Sequence, residues 1–532
     1  MADFSINENC KNYSPNYLAT ICKLGVMSPI ENSDHLMMTV VNGFTMVVFN
    51  DMHEGDIVVY FPVETRICDE FLAANNLFCT DEYQRNSNSF EVHNLLTAAI
   101  SEAEQGNTEE AKELNNKAKA LCGFFDKKGR VRIIKLRGVY SEGFIAGVSA
   151  LEKYLPDELK NVDWESLVGT SFNMINGNLL CWKYIPVIKV NNNPSGGQSR
   201  FKHSMKKIKR FDRIIPGMFA FHYDTVMLNN CIDRFKPDDV VAITVKVHGS
   251  SGIFGNILIN RKLTVWDKIK RFFGCNIPTT EYGEVYSSRR VIKSPYINQE
   301  VSTGFYSTDL WGEVNKKISP YIERGMTVYG EIVGYEPGSD KMIQENYDYG
   351  CKPGQWRFMP YRIHKRNEDG SEKEYDVMEV NEWTVRLIDE HPEIVPSIMP
   401  MNVLYHGELK DLYPDLAIDE HWHENLLERM KNDHENFLME EIEPMCCLYK
   451  PEYENAKRLL GEAAERKASN KEIKALEKEC EKWESLRAPR EGIVIRKDGD
   501  PVAEAWKLKT ARHYALEAKA HDEGEVDIEE MS

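Results

Sequence analysis

The chain has little of what would assign it to several common classes. No apolar run approaches the roughly 20 residues that a membrane helix needs, and the first residues, with Asp3, Asn7 and Glu8, lack the charged-then-apolar order of a secretory leader. No CxxC pair occurs among the 12 cysteines and only Cys446 and Cys447 are adjacent, which argues against both a zinc site and a disulfide framework. An excess of positive charge is missing too. The 66 Lys and Arg face 84 Asp and Glu, and a formal net charge of −18 speaks against nucleic-acid binding unless the basic residues are gathered locally. These absences lead us to expect a cytoplasmic protein with no membrane partner, whose thiols are reduced and mostly packed; a monomer is expected, though nothing in the sequence fixes the oligomeric state. At 532 residues, two or three domains are expected.

What is present begins with short apolar runs alternating with turns between Tyr17 and Thr65: Tyr17 to Ile21, Leu36 to Val41, Phe44 to Phe49 and Ile57 to Phe61. Asn42-Gly43 is a two-residue hairpin signal, and Glu54-Gly55-Asp56 makes the next turn. The pattern predicts a small antiparallel β barrel. Two later strands, Val131 to Leu136 and Gly143 to Val148, would close it and carry a basic face of Arg130, Arg132, Lys135 and Arg137. From Asn88 to Phe125 the apolar residues recur at helical spacing, so a helical insertion over about 88–125 is expected inside this 1–160 domain.

Residues 161–213 read as a linker that ends in a basic segment. Asn191 to Gly197 is rich in Asn, Gly and Ser, and Arg200, Lys202, His203, Lys206, Lys207, Lys209, Arg210 and Arg213 follow with Phe201 and Phe211 interleaved. Such a segment is either solvated linker or a contact to nucleic-acid phosphates. Mixed sheets and helices are expected over 214–515, giving an α+β chain, with a hydrophilic insertion at about 408–486. Within that insertion Asn470 to Leu486 is a charged, peripheral helix with Asn470 as N-cap, and 516–532 is an acidic tail.

The chemistry centres on Val245 to Gly252, where the run Val240 to Ile243 leads to Lys246 and then breaks into His248, Gly249, Ser250, Ser251 and Gly252. A buried strand would deliver one amine to a rim where small residues let backbone N–H groups approach an anion. Alone, a Gly/Ser turn after a strand is most often a hairpin. Further strand-like runs end in charge, however: Arg289 after Ser287-Ser288, Glu331 between Gly330 and Gly334, Glu491 before Gly492 to Ile495, and Lys507 with Lys509 on one strand face. Taken singly, these are as well explained by turn caps or by lysines that guard a sheet edge.

Their order resembles the motif set of the covalent nucleotidyltransferases, the ATP-dependent polynucleotide ligases and mRNA capping enzymes, with Phe358 to Ile363 where that superfamily has its aromatic nucleoside motif. His248 in KxHGSS resembles RNA ligases of the phage type, and the short stretch after Thr510 leaves no room for the β-barrel domain that DNA ligases and capping enzymes carry there. Tyr17 to Ile21, Gly55 to Phe61 and Ile134 to Gly138 resemble the N-terminal OB-fold domain of Deinococcus-type RNA ligases, in which the OB module helps engage nicked duplexes. Tyr361-Arg362 departs from the usual Phe-Asp of phage-type enzymes and leaves the role of Arg362 open.

The resemblance implies an OB-fold barrel followed by an ATP-grasp-like ligase (nucleotidyltransferase) domain. It implies sealing of 3′-OH/5′-phosphate nicks in RNA repair, with ATP and Mg²⁺ or Mn²⁺ as cofactors. A DNA ligase, a capping guanylyltransferase and a non-catalytic OB-containing nucleic-acid-binding protein are the alternatives. On this reading Lys246, Lys507 and Lys509 are catalytic, with Lys246 forming the lysyl-N-AMP. ATP would be bound by these lysines with His248, Gly249, Arg289, Glu331, Tyr361 and Glu491, and Glu491 and Glu331 would hold the metal. Nicked or broken RNA, or an RNA/DNA hybrid duplex, would lie on Arg200, Lys202, Lys206, Lys207, Lys209, Arg210, Lys135 and Arg137. Gly492 would let its strand approach the nucleotide.

Overall fold

The Asn42-Gly43 signal is realised as a tight hairpin. Both residues have positive φ, 50° and 73°, and Val41 pairs with Phe44 across the turn. In the computed structural model the described residues are 2–10, 12–31, 33–185, 213–222, 224–293, 306–433, 450–486, 489–499 and 505–523. The basic segment Arg200 to Arg210 lies outside them. The chain divides into two compact units, Met1–Val187 with Tyr514–Gly524, and Ile188–His513 with Glu525–Ser532.

In the first unit, β1 (Ala19–Lys23), β2 (Leu36–Val41), β3 (Phe44–Phe49) and β4 (Ile57–Pro62) are followed by β5 (Ile134–Leu136), β6 (Val139–Ser141), β7 (Gly143–Gly147) and β8 (Ser171–Phe172). They do not join into one closed barrel among the described residues. Strands β7, β4, β1 and β8 form an antiparallel sheet in that order, β2 and β3 belong to a three-stranded sheet, and β5 pairs with β6 alone. The core is apolar side chains of the four-stranded sheet, Ile21, Val59, Phe61 and Phe172, with Phe71 and Phe78. The expected insertion is a pair of helices, α1 (Ser89–Glu104) and α2 (Thr108–Ala120), burying Val92, Ala99, Ala111 and Ala118.

Three expectations for this unit change. It extends beyond residue 160, because Cys181–Lys183 pairs with Thr65–Ile67 and Leu180 and Cys181 are core residues. The basic face shrinks: Arg130 is buried against Glu64, with its guanidinium 5.2 Å from the Tyr184 ring, and Arg132 pairs with Asp126. Lys135 and Arg137 stay exposed. The first part of the expected 516–532 tail is helical, since α9 (Ala511–Glu523) continues the chain after the last strand; 524–532 lie outside the described residues.

The second unit holds two five-stranded sheets. One has the order β9 (Val226–Met227), β18 (Ala505–Lys509), β17 (Gly492–Lys497), β10 (Val240–Lys246) and β16 (Val403–Glu408), antiparallel except for β9 against β18. The other, fully antiparallel, has the order β12 (Thr280–Ser287), β11 (Ser250–Asn260), β13 (Met326–Gly334), β14 (Trp356–Arg366) and β15 (Glu372–Glu374). All nine residues of β13 are buried, which explains its near-continuous apolar sequence. Helices α4 (Leu310–Ile318) and α5 (Val377–Glu390) bury Trp311 and Trp383 with Phe254, Val328 and Phe358. Val245, Val247, Val333, Tyr347, Tyr349 and Met359 form a third cluster where β10 turns into β11. Between β11 and β12 the short helix α3 (Val265–Phe272) leaves Trp266 and Phe272 exposed.

The region expected as an insertion from residue 408 is in part core. Strand β16 is the edge neighbour of β10, and α6 (Trp422–Asp433) packs Trp422, Leu426 and Met430 against Ile243, Ile495 and Trp506. Helices α7 (Lys450–Glu465) and α8 (Asn470–Leu486) then form a largely exposed pair. Ser469, not Asn470, caps α8: its hydroxyl accepts from the Glu472 amide at 3.3 Å.

Candidate active site

Strand register sets the site. Lys246 at the end of β10 pairs with Gly492 of β17, which pairs with Lys509 of β18; one step along the same face, Thr244, Val494 and Lys507 make the next row. Residues far apart in the chain thus share one end of one sheet face. Gly492 has φ +146°, and a Cβ there would lie 2.0 Å from the Leu508 carbonyl oxygen. The glycine is therefore required by the neighbouring strand, a packing reason the expected approach to a nucleotide did not include.

Glu491, immediately before β17, is the hub. Its carboxylate is 3% exposed, and Oε1 accepts from Lys246 Nζ at 2.7 Å and from Lys509 Nζ at 3.0 Å. His513 Nε2 lies 3.9 Å from the same oxygen, and His248 Nδ1 lies 3.6 Å from Oε2. Burial by itself would raise the Glu491 carboxyl, but the Lys246 and Lys509 charges and the His248 imidazole outweigh it and hold it well below the carboxylate range. For Lys507 the balance has the opposite sign: burial first, then the charges of Lys509, Lys246 and Arg289, pull it from 10.5 to about 7, with Asp224 opposing. Lys246, Lys509, Lys507 and Arg289 thus gather cationic groups at one end of the sheet face, suited to a polyanion such as a triphosphate.

The turn from β10 to β11 carries His248 and Gly249. The His248 amide donates to the Tyr349 hydroxyl at 2.6 Å, and the Gly249 carbonyl accepts from Gln344 at 2.8 Å. A Cβ on Gly249 would lie 2.5 Å from the Ile332 carbonyl oxygen and 2.7 Å from Glu331 Cγ, so the turn sits directly on Glu331. Glu331 itself is buried in β13, paired across from Ser251. Arg289 follows β12 and forms an ion pair with Asp224 at 2.5 Å; Arg289 and Arg290 overcome the effect of burial and bring the Asp224 carboxyl down to about 2.

Tyr361 is held from two sides. Its hydroxyl is 3.2 Å from His222 Nδ1, and the Arg496 guanidinium lies 5.2 Å from its ring and donates to its carbonyl at 2.6 Å. Burial, then Arg289 and Arg496, drive the His222 imidazole well below its usual range, so it is neutral at pH 7. The role left open for Arg362 is structural: the buried guanidinium grips Glu374 and lies 4.4 Å from the Tyr329 ring.

His222, Asp224, Arg496 and His513 were not singled out from the sequence. Only His513 had a usable signal: Thr510 before the helix-forming run at Ala511 is a candidate N-cap, and its hydroxyl does accept from the His513 amide at 3.1 Å. The cation donors also gather differently from the expected pair of Glu491 and Glu331. Among the described residues, the group able to hold a metal is His248, Glu491 and His513, whose donor atoms all lie within 4.8 Å of one another.

No family model matches the chain, and no curated protein matches it. Among solved structures it is similar to RNA ligase of Naegleria gruberi. A mutant of that enzyme with AMP and manganese has 15% identity and a TM-score of 0.45, covering 94% of this chain and 98% of that one. A mutant with ATP and manganese has 16% identity, a TM-score of 0.45 and coverage of 94% and 98%. The same ligase with pyrophosphate has 14% identity, a TM-score of 0.41 and coverage of 95% and 99%.

Proposed function

We propose that the chain is an ATP-dependent RNA ligase that seals 3′-OH/5′-phosphate nicks through a lysyl-N-AMP on Lys246. One observation carries the reading. Lys246 and Lys509 meet on the buried carboxylate of Glu491 at 2.7 and 3.0 Å, with Lys507 on the same strand face as Lys509. A solvated sheet edge has no reason to bury a carboxylate beneath two ammonium groups, because desolvating them is costly unless the arrangement serves another purpose.

In the first step the Lys246 ammonium releases its proton to solvent, since Glu491, held well below the carboxylate range, is a poor base. The amine then attacks the α-phosphorus of ATP; the P–N bond forms and the bond to pyrophosphate breaks. Transfer of AMP to a 5′-phosphate oxygen of RNA breaks that P–N bond and restores the lysine. Finally the 3′-hydroxyl oxygen attacks the activated phosphate, AMP leaves, and the hydroxyl proton goes to solvent. Charge on phosphorus builds in each step, and Lys507, Lys509 and Arg289 are the residues that would stabilise it. His248 and Gly249 would border the phosphates, and Tyr361 and Glu331 the nucleoside. A bound Mg²⁺ or Mn²⁺ would supply further neutralisation of phosphate charge. Glu491 fits such an ion, because its Oε2 is buried with no hydrogen-bond partner among the described residues. In the first unit, Lys135 and Arg137 would contact the RNA backbone. The separate sheets built by β1 to β4 would serve the duplex-engaging task expected of an OB module.

The test is incubation with ATP or GTP labelled at the α-phosphate, followed by sealing assays on nicked RNA/RNA, RNA/DNA and DNA/DNA duplexes. Covalent label from ATP, absent in Lys246→Ala, with sealing of RNA nicks is expected. Label from GTP alone would point to a capping enzyme, sealing of DNA alone to a DNA ligase, and no label from either to a binding protein.

A further inference from the structure

The two oxygens of Glu491 are used unequally. Oε1 takes both ammonium groups, at 2.7 and 3.0 Å, while the buried Oε2, 3.6 Å from His248 Nδ1, has no hydrogen-bond partner among the described residues. On the other side of the carboxylate, His513 is fully buried with Nε2 3.9 Å from Oε1. The Tyr347 hydroxyl donates to the Pro489 carbonyl and lies 3.4 Å from His513 Nδ1, so it can accept a hydrogen bond from that nitrogen. This leaves Nε2 as the nitrogen that faces the carboxylate, the geometry a ligand needs for a cation between the two. Packing fixes the other imidazole: the His248 ring lies edge-on to Tyr347, with centroids 4.9 Å apart, and to His513 at 5.0 Å.

We propose that His248, Glu491 and His513 form a direct binding site for one transition-metal dication, selective against Mg²⁺, and that this ion competes with the Lys246 ammonium for Glu491. Ligand bonds of about 2.1 Å put neighbouring donors about 3 to 4 Å apart; the 3.6 and 3.9 Å separations, one to each oxygen of Glu491, fall in that range, and one donor atom from each of the three residues lies within 4.8 Å of the others, so a small closure would complete the set. Two imidazoles and one carboxylate suit Mn²⁺, Co²⁺ or Zn²⁺, whereas Mg²⁺ requires a near-octahedral shell of oxygens. Three protein donors leave positions open for water or for a phosphate oxygen. Competition follows from the shared carboxylate, because a dication and an ammonium cannot both approach Glu491 without repelling one another. The inference deepens the ligase reading by naming the class of its metal, but the site itself requires no nucleotide.

The experiment is titration of the full-length protein with Co²⁺ alone, followed by the visible absorption of the bound ion. One Co²⁺ per chain is expected, retained against a roughly hundredfold excess of Mg²⁺. Glu491→Gln should abolish binding, and His248→Ala and His513→Ala should each weaken it by about tenfold or more. Lys246→Met should tighten it several-fold, since a competing charge is gone. Should His513→Ala fail to fold, substitution of Mn²⁺ and detection of imidazole-nitrogen coupling by electron spin-echo spectroscopy in the unaltered protein tests the same point. Displacement by Mg²⁺ at equal concentration, absence of nitrogen coupling, or weaker binding in Lys246→Met would each overturn the proposal. Covalent AMP labelling is scored separately, so the metal site and the ligase reading can fail independently.

Discussion

Lys507 pairs with Val494 in the middle of a sheet face, and its charge is a burden on the fold, which makes Lys507→Met an informative perturbation. Burial, with Lys509, Lys246 and Arg289, takes its pKa from 10.5 to about 7. The unfolded chain keeps this proton to about pH 10.5 while the folded chain releases it near 7, so between those values the unfolded state binds more protons and stability rises with pH. Below about pH 7 the whole penalty is present. The fall from 10.5 to about 7, at about 1.36 kcal/mol per pH unit, gives roughly 5 kcal/mol as a ceiling. The side chain is partly exposed, and solvent screening brings the figure to about 2–3 kcal/mol. Lys507→Met is therefore expected to stabilise the protein by about that amount at pH 6, and the gain should fade towards pH 10. Urea unfolding of both proteins across pH 6–10 measures it. A gain that does not change with pH, or a loss at pH 6, would refute the reasoning. The same variant should bind pyrophosphate more weakly at pH 6.5, by about tenfold if one phosphate contact is lost.

Other perturbations separate the roles of the remaining residues. Glu491→Gln leaves Lys246 and Lys509 without their shared counter-charge and should cost about 3–5 kcal/mol in unfolding free energy, along with nearly all covalent AMP labelling. Arg362→Met should destabilise by a few kcal/mol through the uncompensated Glu374 carboxylate, and Glu374→Gln added to it should recover most of the loss; no recovery in that double variant would show that the pair is not a closed unit. Exchange of Lys135 and Arg137 for Glu should leave labelling with AMP intact, weaken sealing of nicked RNA, and lower the salt slope of binding by about 0.9 per phosphate contact removed. An unchanged slope would detach these residues from the RNA.

The sequence by itself determined whatever depends on neighbours along the chain. The Asn42-Gly43 turn, the helix pair at 88–125, the apolar strand ending at Lys246 and the two-residue spacing of Lys507 and Lys509 are local patterns, because turn geometry and strand alternation are settled within a few residues. The order of the charged motifs was likewise visible. Tertiary structure decided which of those charges meet. Lys246 and Lys509 reach Glu491 because β10, β17 and β18 are adjacent in register, and no periodicity encodes that adjacency. It also decided the parts that sequence reading misassigned. Arg130 looks like a surface cation until Glu64 closes on it, and Trp422 lies in a hydrophilic stretch yet packs beside Trp506. Asp224, Arg496 and His513 carry no motif of their own. They belong to the site only because long-range packing brings them beside other charges, with His513 fully buried, Arg496 partly so and Asp224 at the exposed rim against Arg289.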